Sequence, residues 1–195
     1  MEIFWSDIHA MDPARSVYPG RSTSPGSGYA WSLLAYAVRQ VWNCTLPEVN
    51  VTSAGKPFFP GRRDICFSLS HTKGIVLVAV SSEPVGADVE FRRKLRPATE
   101  KRLLRTPHGD LDAFELWTLR ESFYKLVGEG SLRDLPFSRE NGVILGPREE
   151  LKCALYDVIP DCSAAVCSLT ETPSKKLHRI PAESLISQGT GASIP

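Results

Sequence analysis

Val85-Gly-Ala-Asp-Val-Glu90 is the first of two short stretches that decide the fold of this chain, and Trp117-Thr-Leu-Arg-Glu-Ser-Phe-Tyr-Lys125 is the second. Apolar and polar residues alternate in the first stretch, which predicts a half-buried strand. Successive side chains of a strand point to opposite faces, so Asp88 and Glu90 share one face. The second stretch has no proline or glycine and reads as a helix.

In that helix Glu121 and Lys125 are four residues apart and lie on the same stripe. The strand pair and the helix pair can therefore aim at one point. Three carboxylates and one ammonium around a point are typical of a hard metal ion that holds phosphate, and Mg²⁺ in particular combines a few carboxylates with substrate phosphates and water. The residues alone thus favour Mg²⁺-assisted chemistry on a phosphorylated substrate.

Working outward, the periodicity of apolar residues predicts an α+β protein. Strands are expected at 1–8, 49–52, 65–70, 75–80, 85–90, 143–145, 151–158 and 164–169, and helices at 30–42, 92–105 and 111–128. The strands at 65–70 and 75–80 form a predicted hairpin with His71 at its turn. Residues 12–27 read as loop because they are rich in Pro, Gly and Ser, and from Thr172 onward we expect a polar, loosely held tail.

The sequence also contains a weak internal repeat. Trp31 to Val41 matches Trp117 to Val127 when the chain is laid over itself, and Val78 to Pro84 resembles Val166 to Pro173. Two matches in the same order predict two similar halves, each a helix plus an antiparallel sheet, related by a pseudo-twofold axis. We expect an N-terminal half at 1–84, a C-terminal half at 85–172 and a tail at 173–195, with one active site between the halves.

Composition removes several classes of protein. Charged residues are 23% and hydrophobic residues 42% of the 195, ordinary values for a soluble globular chain, and the formal net charge of +1 argues against nucleic acid as a partner. The chain lacks a leader pattern and a run of about 20 apolar residues, so a cytoplasmic protein without membrane contact is expected. Five cysteines without Cys-x-x-Cys spacing read as free buried thiols.

Two further motifs precede the deciding stretches, Gly55-Lys-Pro57 and Phe67-Ser-Leu-Ser-His71. With them, in this order, the sequence closely resembles the 4′-phosphopantetheinyl transferases, and more narrowly the monomeric, internally duplicated Sfp-type subgroup. The resemblance runs from about Trp31 to about Leu169. It implies the fold of that family and transfer of the phosphopantetheine arm of coenzyme A to a serine of an acyl or peptidyl carrier protein. Adenosine 3′,5′-bisphosphate would be released, with Mg²⁺ as the metal.

The expected reaction gives each acidic residue a role. A serine hydroxyl is a weak nucleophile, so the site needs a positioned base and cations. Asp88, Glu90 and Glu121 are the candidate metal ligands. Glu121 is also the candidate base for the serine proton, and Lys125 is expected to bind the pyrophosphate and assist the departing phosphate.

The resemblance also implies contacts to coenzyme A. Lys56 and Pro57 are expected at the adenine pocket, and Ser70 and His71 at the phosphates. Arg120 stands where relatives carry a lysine, and is expected to contact coenzyme A as Lys125 does. Relatives place basic residues before the first helix to bind the 3′-phosphate; here we choose Arg21, with Arg62 or Arg63 as substitutes.

The carrier protein is expected to dock beside residues 102–112, where Arg102 and Arg105 suit an acidic helix. Taken singly, the motifs have ordinary explanations: Glu121 and Lys125 form a common surface pair, and Trp117 is assigned to the core. Two other functions stay open. One is a metal-dependent phosphodiesterase, and the other is a module that binds coenzyme A or a carrier protein without catalysis.

Overall fold

A computed structural model describes residues 1–12, 25–128, 132 and 134–186, and these form an α+β protein. Its helices are α1 (Pro25–Trp42), α2 (Pro97–Leu103) and α3 (Ala113–Val127), with a short 3-10 helix at Ala182–Leu185. Its strands are β1 (Glu2–Asp7), β2 (Asn50–Val51), β3 (Pro57–Phe58), β4 (Cys66–Thr72), β5 (Ile75–Ser81), β6 (Val85–Phe91), β7 (Ser138–Glu140), β8 (Val143–Leu145), β9 (Lys152–Tyr156), β10 (Cys162–Ser168) and β11 (His178–Arg179). None of the helices formed by the described residues is long and apolar enough to cross a membrane.

The first sheet has the strand order β11-β1-β5-β4. Strand β5 is buried along its whole length, and helix α1 packs its apolar side, including Leu33, Leu34 and Val38, into the same core. Strand β11 pairs in parallel with β1, and Leu185 of the 3-10 helix is fully buried. The expectation of a loose tail from Thr172 is therefore wrong for 178–186, because apolar side chains there complete the first core.

The second sheet has the order β6-β10-β9, and α3 packs across it. Strand β6 contacts α3 very closely at Gly86: a Cβ there would overlap the Ser122 carbonyl oxygen and lie 2.6 Å from the Leu126 backbone nitrogen. Only glycine permits this approach. The approach matters because the strand carries Asp88 and Glu90 while the helix carries Glu121 and Lys125.

Local chemistry explains where α3 begins and ends. The Asp112 side chain caps the first turn by accepting hydrogen bonds from the backbone nitrogens of Phe114 and Glu115. The Glu115 carboxylate in turn accepts a hydrogen bond from the backbone N–H of Asp112. Gly128 ends the helix in the left-handed conformation, with φ 75°. Helix α2 is shorter than the predicted 92–105 because Pro97 lies in its first turn and cannot continue a helix from upstream.

Strands β4 and β6 belong to different sheets but face each other, and we call this line, residues 68–72 of β4 and 87–91 of β6, the seam. Hydroxyl groups of β4 accept the backbone N–H groups of β6. The pairs are Ser68 with Ala87 at 2.9 Å, Ser70 with Val89 at 3.2 Å and Thr72 with Phe91 at 3.2 Å. Hydrogen bonds from the backbone of β6 to side chains of β4 thus join the two sheets, in place of backbone-to-backbone hydrogen bonds.

Two predicted boundaries are wrong. Helix α1 begins at Pro25 rather than 30, because a proline is tolerated at the first position of a helix and the small residues that follow it do not prevent one. His71 lies within β4 rather than at the turn, since the strand extends to Thr72 and the turn is made by Lys73 and Gly74.

Candidate functional site

Asp88 stands at the centre of the seam. Its side chain is buried, with the residue 4% exposed. One carboxylate oxygen, Oδ1, accepts hydrogen bonds from Ser70 Oγ and from Lys125 Nζ, each at 2.7 Å. The other oxygen, Oδ2, is buried and has no hydrogen-bond partner among the described residues. A buried carboxylate oxygen without a partner is costly, so a cation or a hydrogen-bond donor at Oδ2 would stabilise the site.

Glu90 and Glu121 border Asp88 from the strand and from the helix. Burial raises the pKa of each side chain, and the Asp88 charge raises both pKa values further. Glu121 also raises the pKa of Glu90, whereas an ion pair with Arg93 at 3.5 Å lowers it. Burial and neighbouring negative charge therefore favour a proton or a nearby cation at Glu90 and at Glu121.

The described residues include no group of three or more His, Cys, Asp or Glu side chains arranged to hold a metal ion. The ready set of three ligands expected from Asp88, Glu90 and Glu121 is thus not present in this arrangement. Lys125 lies beside Asp88, and its ammonium also donates a hydrogen bond to the Ala87 carbonyl oxygen at 3.2 Å.

A cavity of about 210 Å³ opens beside Lys125, between α3 and the loop before β3. Lys56 and Pro57 line it, as the sequence predicted for one pocket, together with Phe67 and Tyr124. Lys56 is not a free surface charge: its ammonium donates to the Leu126 carbonyl oxygen at 2.9 Å, near the C-terminus of α3. Burial lowers the pKa of Lys56.

Ser70 and His71 follow each other on β4 and face different surroundings. The single hydroxyl proton of Ser70 is donated to Asp88, so in this arrangement it positions that carboxylate. His71 is exposed, and its Nδ1 lies close to Gly26 in the first turn of α1, where a Cβ would be 3.0 Å away. Desolvation of the ring and the nearby Lys125 ammonium lower the pKa of His71, while Asp88 raises it.

Arg120 is placed differently from the sequence-based expectation of a contact to coenzyme A. The residue is buried, 5% exposed, and all three nitrogens of its guanidinium have protein acceptors. Nε donates to the Leu135 carbonyl oxygen at 3.0 Å, Nη1 to that of Leu103 at 2.9 Å and Nη2 to Thr106 Oγ1 at 2.8 Å. The arginine therefore ties α3 to the end of α2 and to the segment that precedes β7.

A second cavity, of about 440 Å³, lies on the other side of Glu121. Arg102, Arg105 and Trp117 are among its lining residues. Arg105 forms an ion pair with Asp134. The cavity occupies the surface that the sequence predicted for the carrier protein.

Trp117 is a site residue that the sequence analysis assigned to the core. It is only partly buried and lies near Glu121, where it opposes the rise in the pKa of that carboxyl. The indole ring also stacks in parallel with the Phe114 ring, and the Arg93 guanidinium carbon lies 5.4 Å from the centre of the indole. The sequence contained one signal for this proximity: Trp117 and Glu121 are four residues apart, and residues with this spacing are neighbours on the surface of a helix.

The expected 3′-phosphate ligand, Arg21, lies outside the described residues. Of its two substitutes, Arg62 is paired with Asp64 at 2.8 Å, while Arg63 is exposed beside a cavity of about 230 Å³ that also touches Lys56.

Comparison with known proteins gives three informative matches. A 4′-phosphopantetheinyl transferase of Bacillus subtilis is 35% identical over 94 residues, 41% of each chain. The transferase Sfp of Bacillus subtilis strain 168 is 32% identical over 133 residues, covering 58% of this chain and 59% of that protein. The transferase psf-1 of Bacillus pumilus is 28% identical over 177 residues, covering 80% and 76%.

No family model matches the chain. The chain spans 41% and 59% of the length of the first two relatives. All three relatives nevertheless carry the same activity in their names. The resemblance inferred from the motifs is confirmed: the chain is similar to several 4′-phosphopantetheinyl transferases, Sfp among them.

Proposed function

We propose that this protein transfers 4′-phosphopantetheine from coenzyme A to a serine hydroxyl of an acyl or peptidyl carrier protein and releases adenosine 3′,5′-bisphosphate. One observation carries the proposal: a buried Asp88 at the seam, with Lys125 on one oxygen and no partner on the other among the described residues. The activity named for the similar proteins supports it.

The residues fit Mg²⁺ in their donor chemistry. Asp88 Oδ2, which has no partner among the described residues, is a hard oxygen donor, and the pKa values of Glu90 and Glu121 are raised by burial and then by the charge of Asp88. These three residues would hold the ion once the two glutamates turn toward Asp88 Oδ2. When bound, the ion supplies positive charge that stabilises the pyrophosphate oxygens as their bond breaks.

Glu121 is proposed as the base that removes the proton from the carrier serine. Its pKa is raised toward neutral pH, and a carboxylate with such a pKa is a stronger base that is still ionised. Trp117 lies near the carboxylate on the same helix, and Glu121 lines the 440 Å³ cavity on the carrier side. The base therefore lies where an incoming hydroxyl group is proposed to enter.

Lys125 is proposed to bind the pyrophosphate and to stabilise the departing phosphate. It lines the 210 Å³ cavity and also bonds Asp88, so it joins the proposed coenzyme A side of the site to the metal side. A cation placed there offsets charge that develops on the leaving oxygen. Lys56 and Pro57 are proposed to border the adenine group, and Ser70 and His71 to lie nearest the phosphates, with Ser70 holding Asp88 as well.

The proposal includes the larger organisation inferred from the sequence. The matched segments fall on α1 and α3 and on β5 and β10, and each helix packs on its own sheet, which supports two related halves at 1–84 and 85–172. The same proposal includes that the protein acts as a monomer in the cytoplasm. It also includes that Arg21 binds the 3′-phosphate of coenzyme A.

The carrier protein is proposed to dock on the surface around Arg102 and Arg105, beside the 440 Å³ cavity. An acidic carrier helix would complement these cations and bring its serine toward Glu121.

The test is an intact-mass assay on a panel of apo acyl and peptidyl carrier proteins, incubated with the protein, coenzyme A and Mg²⁺. We expect a carrier to gain one phosphopantetheine group, and the gain to disappear with a chelator or in the Glu121→Gln variant. Absence of the gain on every carrier would contradict the proposal. Hydrolysis of coenzyme A without a carrier would support a phosphodiesterase in its place.

A further inference from the structure

Two cysteines lie opposite each other in the second sheet. Cys153 of β9 pairs in register with Cys167 of β10, and both side chains belong to the apolar cluster beneath α3. The two thiols are free, with their Sγ atoms 2.7 Å apart. Directly opposed residues of antiparallel strands have Cα atoms about 4.5–5.5 Å apart, inside the range of about 4.4–6.8 Å that a disulfide accepts. The backbone therefore places this pair at bonding distance.

The two thiols differ in access. Cys167 is fully buried and lies 4.0 Å from the Leu119 carbonyl oxygen of α3. Cys153 is only partly buried, on the edge strand of the sheet. A small oxidant therefore reaches Cys153 first, and Cys167 is in place to react with the oxidised sulfur. Burial and the neighbouring thiol raise the pKa of Cys167, which keeps it protonated until then.

We propose that Cys153 and Cys167 form a reversible modification site, which hydrogen peroxide closes to an intramolecular disulfide. The Cys153 thiolate attacks one peroxide oxygen, the O–O bond breaks, and a sulfenic acid and one water form after protonation. The Cys167 sulfur then attacks the Cys153 sulfur, its proton leaves with the hydroxyl group as a second water, and the S–S bond forms. Two thiols are oxidised and one peroxide is reduced to two waters. A dithiol reductant reverses the reaction.

The disulfide would fasten the edge strand β9 to β10 under the helix that carries Glu121 and Lys125. Closing the loop between the two strands restricts the unfolded chain, so the oxidised protein is expected to be more stable than the reduced one. This consequence is separate from the proposed transferase activity, since neither sulfur contacts Asp88, Lys125 or the two cavities in the contacts described above.

The experiment treats the full chain with hydrogen peroxide and measures its intact mass without reductant. We expect the loss of two hydrogen atoms, a proteolytic peptide that links Cys153 to Cys167, a melting temperature raised by several degrees, and reversal by dithiothreitol. Cys153→Ser and Cys153→Val should both abolish the linked peptide. Cys66→Ser, which removes another partly buried cysteine, is the matched control and should keep it.

Addition of oxygen atoms without the loss of two hydrogens would overturn the proposal. So would a linked peptide that joins Cys153 to a different cysteine, or a disulfide that leaves the melting temperature unchanged. Two variants at position 153 are used because a serine places a hydroxyl group in an apolar cluster, whereas valine does not.

Discussion

Arg120 lines the 440 Å³ cavity next to Glu121, but its guanidinium is held by three protein acceptors. A cation directly before Glu121 suggested a phosphate contact, but consecutive helical residues point about 100° apart. Glu121 faces Asp88, whereas Arg120 turns to the Leu103 and Leu135 carbonyl oxygens. The sequence shows that Arg120 is a cation and which side of the helix it occupies. Its hydrogen-bond acceptors belong to other segments, which only the folded structure brings close to it.

Arg120→Ala should therefore lower stability and leave coenzyme A binding intact. The change removes three hydrogen bonds from a charged donor and strands two carbonyl acceptors, which we expect to cost about 3 kcal/mol in urea denaturation. Arg102→Ala, on the exposed face of α2, is the control and should change stability by less than about 0.5 kcal/mol. A raised KM for coenzyme A at unchanged stability would restore Arg120 as a substrate ligand.

We expect the ionised Glu121 side chain to destabilise the folded protein when no metal is bound. Its pKa is raised in the folded state, so the fold holds the proton more tightly than the unfolded chain does, and ionisation destabilises the fold. The penalty is absent well below the ordinary glutamate pKa and complete once the pH exceeds the raised value. Glu121→Gln should then melt a few degrees higher than the wild type at pH 7 in a chelating buffer.

The measurement is a series of melting curves between pH 4 and pH 8 for both proteins. The difference should shrink toward acidic pH, where Glu121 is protonated in folded and unfolded chains alike. Saturating Mg²⁺ should reverse the order if it binds the wild type alone, because a ligand at 100 times its Kd adds about 2.7 kcal/mol. A variant less stable than the wild type at every pH without metal would refute this account of the charge.

At the scale of elements, much of α3 could be predicted. Its apolar spacing, the Asp112–Glu115 capping box and the terminal Gly128 are all local signals. The start of α1 was missed because Pro25 can either end a loop or open a helix, and neighbouring residues do not distinguish the two. The segment after Thr172 was misread because β11 is only two residues long, too short for any periodicity.

The seam was also beyond sequence reasoning. Alternation placed Ser68 and Ser70 on one face of β4, but which strand that face meets depends on long-range packing. The serines could as well have faced water. Because they meet β6, their hydroxyl groups satisfy its backbone and position Asp88.

Gly86→Ala tests the close packing of α3 on β6. The added methyl group overlaps the Ser122 carbonyl oxygen, so the helix must move away, and we expect a loss of about 3 kcal/mol in the free energy of unfolding. Gly61→Ala is the matched control, since a Cβ there meets no atom within 4 Å. Equal stability of the two variants in denaturant titrations would contradict the described approach of strand and helix.

At the scale of the molecule, the candidate site lies where the two sheets meet, and these sheets pack on each other through a shared apolar cluster that includes Trp5, Leu77 and Val89. The first sheet contributes Ser70, and the second contributes Asp88 with Lys125 above it. The sequence motifs predicted that Asp88 and Lys125 would point toward one place, and these two side chains lie 2.7 Å apart. They could not predict that Ser70 also bonds Asp88, because that contact depends on how the two sheets pack against each other.

The most direct test of this account is the rate of phosphopantetheine transfer to an apo carrier by the Asp88→Asn variant. Asparagine keeps the shape of the side chain but removes the charge that binds Lys125 and the proposed metal, so we expect the rate to fall by about 100-fold or more. Asp7→Asn, which changes an exposed carboxylate that pairs with His9 and lines neither the 210 Å³ nor the 440 Å³ cavity, should transfer at the wild-type rate. An Asp88→Asn variant as fast as the wild type would contradict the central claim.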